Sequence, residues 1–106
     1  MVHRLVVSYG QPEDPTAFDA HYRATHIPLT VQMPGLVRFT TGSPQALDSR
    51  QSAPYLVAHL DFDSEQAMGA AFASDAGKAS AADVPNFASG GTTMTHYEVN
   101  EVHVSR

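Results

Sequence analysis

Cysteine is absent from the 106-residue chain, so there is no disulfide and no thiol nucleophile, which fits the cytoplasm without requiring it. Basic residues are few: Lys and Arg number 6 against 11 Asp and Glu, for a formal net charge of -5. Phosphate binding needs a clustered basic surface, and these are scattered, so nucleic acid is not expected as a partner. No run of about 18 apolar residues occurs, so no membrane-spanning helix is expected. The opening MVHRLVVSYG has too short an apolar run, and no cleavage site, for a signal peptide. There is no HExxH and no His-x-His, and no close carboxylate completes a ligand set, so no metal site is expected. A G-x-S-x-G elbow is missing, and no serine has an evident histidine and acid beside it. Gly90-Gly91 lacks the spacing and the strand-to-helix setting of a nucleotide loop. No flavin, nicotinamide or haem signature is visible, and no cofactor is expected.

What is present reads as one globular domain over residues 1–106, with 42% hydrophobic and 16% charged residues. His3–Tyr9 is rich in β-branched and aromatic residues and alternates like a strand. Asp14-Pro15 gives a helix start, with Asp14 as N-cap and Pro15 at the first helical position. Phe18, Tyr22, Thr25 or His26, and Leu29 then recur at helical spacing, up to a kink or restart at Pro28 and a stop by Pro34. Leu36–Thr41 reads as a second strand, Ser43–Pro54 as a loop, and Tyr55–Phe62 as the clearest strand of all. Asp63–Gln66 resembles a capping box opening a second helical region. Asp75 starts a further short helix ending before Pro85, interrupted by a weakening Gly77. Thr92–Val104 reads as a long final strand. The order strand, helix, strand, strand, helix, strand predicts an α+β, ferredoxin-like fold: a four-stranded antiparallel sheet with helices on one face. Apolar residues on both faces, among them Leu5, Val7, Val57, Val99, Val102 and Val104, leave a second face to cover. A second copy of the chain covers it most simply, giving a homodimer.

Of the 6 histidines, His26 stands out, a titratable ring two residues before a proline in a helix. It reads either as a pocket residue or as an end-of-helix imidazole donating to a carbonyl. Five residues apart on a regular helix, His21 and His26 point about 140° away from each other. Tyr22, one turn before His26, reads as a core aromatic or as a hydroxyl beside the imidazole. His59, on the strand face shared with Tyr55 and Asp61, is exposed, buried against a partner or lining a cavity; its sequence leaves all three open. Tyr9 and Ser8 at the end of the first strand are weaker candidates for a ligand pocket. Phe87, in the loop after the last helix, walls that pocket or packs the core.

Tyr22, His26, Pro28 and Leu29, followed by Pro34-Gly35-Leu36 and later by Asp83-Val84-Pro85-Asn86-Phe87, resemble the EthD-like family of the dimeric α+β barrel superfamily. That resemblance implies a homodimeric barrel and places the family's recurring histidine on His26. The superfamily includes cofactor-independent monooxygenases and muconolactone isomerases. Two functions follow as expectations. One is a small cofactor-independent enzyme of catabolic or secondary metabolism. Its His26, with Tyr22, would do acid–base chemistry (isomerisation, lactone rearrangement, cyclisation or oxygenation) on a small apolar organic molecule. The other is a non-catalytic accessory protein that carries a hydrophobic metabolite to a partner oxygenase. In either case Tyr9, His59 and Phe87 would contact the ligand.

Overall fold

His3, Leu5, Val7 and Tyr9 alternate with Val2, Arg4, Val6 and Ser8, and the odd-numbered set is the buried one. A period of two places these sets on opposite faces of a strand. In a computed structural model describing residues 1–105, this segment is β1 (Val2–Tyr9). With β2 (Arg38–Gly42), β3 (Leu56–Phe62) and β4 (Thr92–Val99) it forms a four-stranded antiparallel sheet of order β2-β3-β1-β4. The connections carry α1 (Pro15–His21), a π turn (Tyr22–His26), α2 (Ile27–Thr30), α3 (Glu65–Ala73), α4 (Asp75–Asp83) and a 3-10 turn (Val84–Asn86). This is the α+β, ferredoxin-like plan.

The ends of several elements differ from the sequence reading, each for a local reason. β4 stops at Val99, not Val104, where it pairs with Val2, the first residue of β1. Val102 and Val104 lie beyond it, 79% and 67% exposed, and line no strand face. The caps of the two later helices are Ser64 and Ser74, each one residue before the aspartate or glutamate of the first turn. Their hydroxyls accept from the Ala67 and Gly77 amides. Asp14 does cap α1, accepting from the Ala17 amide at 3.1 Å, with Pro15 behind it. Gly77 has a packing reason to sit inside a helix, since a Cβ there would overlap the Ala71 carbonyl oxygen where α3 and α4 meet.

The helices lie on the odd face of β1. Leu5, Val7 and Tyr9 join Ala58, Leu60 and Phe62 of β3 against Phe18, Tyr22, Met33, Ala71 and Phe87. Burying one such side chain contributes about 1.5–3 kcal/mol. Tyr9, Phe18, Tyr22 and Phe87 pack edge-on, tilted or stacked, with ring centroids 5.1–5.7 Å apart. The other face carries Val2, Arg4, Val6 and Ser8 beside Val57, His59 and Asp61, by register. None of its valines packs on the core.

Candidate functional site

The helix that leaves β1 changes its winding halfway along. Residues Tyr22–His26 form a π turn, in which the Ile27 amide reaches back five residues to the Tyr22 carbonyl. Pro28 follows immediately and has no amide to offer, so the register shifts where one bond of the ladder is already missing. The extra residue in the turn swings His26 towards the side that carries His21. On a regular helix the two would diverge, as the sequence reading assumed; here both reach one carboxylate.

That carboxylate is Asp83, at the end of α4. His26 Nδ1 lies 2.9 Å from Asp83 Oδ2, and His21 Nε2 lies 2.8 Å from Oδ1. Asn86 Nδ2 donates to Oδ1 at 3.1 Å from the turn that follows. Asp83 and His26 are both buried, whereas the His21 side chain keeps 31% of its surface. Burial works to raise the Asp83 carboxyl, and the hydrogen bonds from Asn86, His21 and His26 outweigh it, so the group sits below the usual aspartate range. Burial lowers the His26 imidazole, and Asp83 opposes that only in part. At neutral pH the pair is therefore a neutral imidazole beside a carboxylate. An ionised carboxylate only accepts, so it fixes the proton on Nδ1 and leaves Nε2 as the basic nitrogen. The end-of-helix reading of His26, donating to a carbonyl, does not hold.

Phe87 and Tyr22 flank the His26 ring, at centroid distances of 4.7 and 5.3 Å. The Tyr22 hydroxyl is buried and makes no hydrogen bond among the described residues, and burial pushes its pKa up to about 12 against the opposing influence of the nearby Tyr9 hydroxyl. Tyr9 packs edge-on against Tyr22, and burial, with Tyr22 nearby, raises its hydroxyl further still. Thr30 Oγ1 and Ser80 Oγ bond each other at 2.8 Å. Tyr9, Tyr22, His26, Thr30 and Ser80 line a cavity of about 20 Å³ between helices and sheet, otherwise walled by apolar side chains. A larger groove of about 450 Å³ runs outside it, along Phe18, Asp19, Arg23, Ile27 and Tyr55, and Tyr22 lines both spaces.

Four of the six residues singled out in the sequence (Tyr9, Tyr22, His26 and Phe87) come together here. Ser8 lies on the other face of β1, across from Val57, and His59 does not join them either. It sits on the opposite face of the sheet, opposite Val6 and Thr40 by register, where with Thr40, Val57 and Pro44 it lines an open surface depression of about 300 Å³. Tyr55 is not on that face either: it precedes β3, packs on Phe18 and donates its hydroxyl to Asp19 at 2.7 Å. Asp83 and His21 were missed, although Asp83 opens the quoted Asp-Val-Pro-Asn-Phe stretch. Among the described residues no group of three or more His, Cys, Asp or Glu side chains is placed to hold a metal ion. No helix there is long and apolar enough to cross a membrane.

Residues 10–91 match the EthD domain model. The chain belongs to the EthD family. An uncharacterised 11.0 kDa protein from the thcB-thcC intergenic region of Rhodococcus erythropolis is 46% identical over 93 residues, covering 88% of this EthD chain and 90% of its own. The crystal structure of an EthD-family protein from Bacillus halodurans is 35% identical, covers 94% of this chain and 100% of its own, and superposes with a TM-score of 0.87. The fold extends further, to SnoaB, a cofactor-independent oxygenase from Streptomyces nogalater. That protein is 15% identical, covers 95% of this chain and 94% of its own, and has a TM-score of 0.62.

Proposed function

We propose that this EthD protein is a cofactor-independent enzyme in which His26 moves a proton on a small, largely apolar organic molecule. The observation that carries this reading is the buried imidazole on the cavity wall, its Nδ1 held by Asp83 and its Nε2 left free. Such an arrangement is a general base with its tautomer and orientation set by a carboxylate, typically worth about 10²–10⁴-fold in rate. Asp83 is the positioning residue, and His21 and Asn86 hold Asp83. Isomerisation, lactone rearrangement, cyclisation and oxygenation without a cofactor all open with such a proton transfer. The same fold carries the cofactor-independent oxygenase SnoaB, which supports the class of chemistry and not a particular substrate.

The active unit in this proposal is a homodimer. Val2, Val6 and Val57 are only half-buried on a sheet face that no helix covers, and a second copy packed there would cover them. Sedimentation at micromolar concentration is expected to report about twice the chain mass; a clean monomer would overturn the dimer.

A carrier protein is the second reading, favoured by the groove, which holds a ligand without needing a base. His26→Asn separates the two. It replaces a hydrogen bond but not a titration near neutrality. With a turned-over substrate in hand, kcat/KM is expected to fall by about 10²–10⁴-fold while stability changes by no more than about 1–2 kcal/mol. Unchanged turnover rejects the acid–base role. A protein that binds ligand through His26→Asn unaltered, and turns nothing over in either form, is the carrier.

A further inference from the structure

Tyr22 carries the one buried side-chain polar atom left without a hydrogen-bond partner among the described residues. A buried phenol O–H in that state is costly, and native proteins rarely leave one so. Its neighbours do not relieve it: the Tyr9 hydroxyl lies near enough to act on it electrostatically but forms no hydrogen bond with it, the Thr30 and Ser80 hydroxyls satisfy each other, and His26 Nδ1 is spent on Asp83. The space beside it, about 20 Å³, has room for one oxygen-sized group. Beyond the Tyr22 ring lies the groove of about 450 Å³, walled on its apolar side by Phe18, Ile27, Pro44, Pro54 and Leu56.

We propose that the missing acceptor is an oxygen of the substrate, which makes the substrate a flat, apolar carbonyl compound with an acidic C–H, held as its enolate between Tyr22 and His26. The inference rests on the acid–base reading of His26. The His26 Nε2 lone pair takes the proton from the carbon next to the carbonyl. The C–H pair becomes the new C=C bond, and the carbonyl π pair moves onto oxygen, where the Tyr22 O–H donates to it. No oxidant or reductant enters this step, and the proton on His26 is returned to the enolate afterwards. The apolar body lies in the groove, and the Tyr22 ring, which separates the two spaces, turns to admit the carbonyl end. A carboxylate at the reacting end is disfavoured, since among the described residues no Lys or Arg lines the cavity to meet its charge, and Arg23 lines only the groove.

4-Nitrophenol tests this without a known substrate, because its anion mimics an enolate and absorbs apart from the neutral phenol. At a pH just below its solution pKa, the wild-type protein is expected to bind it enriched in the anion. Tyr22→Phe is expected to weaken anion binding by roughly 10- to 100-fold, the range for a hydrogen bond to a charged oxygen. The melting temperature of ligand-free Tyr22→Phe should stay level or rise, because the hydroxyl removed had no partner. Equal anion binding by Tyr22→Phe overturns the inference, as does a wild-type protein that ignores 4-nitrophenol. A melting temperature lowered by more than about 4 °C also overturns it, since the hydroxyl would then have a partner such as a water. His26→Asn tells the two failures apart. If its bound phenol stays as anionic as in wild type, the base reading fails and takes the inference with it. If only Tyr22→Phe is silent, the donor assignment fails and the base stands.

Discussion

The two faces of the sheet hold a buried carboxylate each, and they treat it differently. On the open face Asp61, 5% exposed, meets Arg4 through two bonds of 2.7 and 3.0 Å. On the helix face Asp83, 6% exposed, meets two imidazoles and an amide. Arginine stays charged at any pH a folded protein sees, so the outer pair is a fixed fork–fork clamp. Imidazole changes charge near neutrality, so the inner group can exchange a proton. The same contrast runs through the surroundings. The helix face is a cage of Tyr9, Phe18, Tyr22 and Phe87, and the open face mixes Val6 and Val57 with Ser8, Thr40 and His59. A fixed charge in a mixed surface suits an interface; a mobile proton among aromatics suits chemistry.

The largest expected effect is on stability, and it sharpens that contrast. Phe62, with no exposed surface, packs on the helix face, and Phe62→Ala is expected to cost about 3–5 kcal/mol in urea unfolding. Val57→Ala on the open face should cost about 1 kcal/mol or less in a protein kept dilute enough to be monomeric. Comparable losses would mean that the open face is packed within one chain.

Much of the helix face was legible in the sequence, because local periodicity writes it. Odd-numbered residues of β1 and the Phe18–Tyr22–His26 spacing each mark an inward side without knowledge of the partner. The parity of β3 likewise placed Leu56, Ala58, Leu60 and Phe62 together, and His59 apart from them. What stayed hidden depended on distance or on backbone register. Asp83 lies 57 residues from His26, and nothing in its neighbourhood says which helix end it will meet. The π turn depends on a hydrogen-bond shift that propensity does not encode, with Pro28 as its single trace. The caps slipped by one residue because Ser64 and Ser74 compete with acids beside them that also suit a first turn.

A middle-sized effect concerns pH. The folded His26 pKa lies below the 6.5 of the unfolded chain, so in the window between them the unfolded state binds more protons. Stability is therefore expected to fall as pH drops below about 6.5 through the folded value. Asp83 and Asp61 have lowered carboxyls, and their contribution is lost only further down, as pH falls from 3.8 through their folded values. Urea midpoints against pH should show two descents. His26→Asn is expected to remove the upper one and leave the lower. Asp83→Asn, which strips the imidazoles of their carboxylate, should cost about 1–3 kcal/mol at neutral pH. A single acid descent, unchanged by His26→Asn, would erase the distinction between the faces.

The smallest expected effect is at His59, and it probes the comparison from the other side. Its strand position places it opposite Val6 and Thr40, with Arg4 and Asp61 on the same face. The sheet backbone separates it from the cavity, so no side-chain rotation carries its ring to the Tyr22 hydroxyl. It makes no side-chain hydrogen bond among the described residues, and its ring is half-buried. Replacing it by alanine in a dilute, monomeric sample is then a surface change, expected to stay within about 0.5 kcal/mol. 4-Nitrophenol binding should be the same as in wild type. If the open face is where a second copy packs, the change appears in another measurement, the dimer dissociation constant followed by sedimentation. A His59→Ala protein that dimerises normally but loses the phenol would place ligand binding on the open face, and the assignment of chemistry to the helix face would be lost.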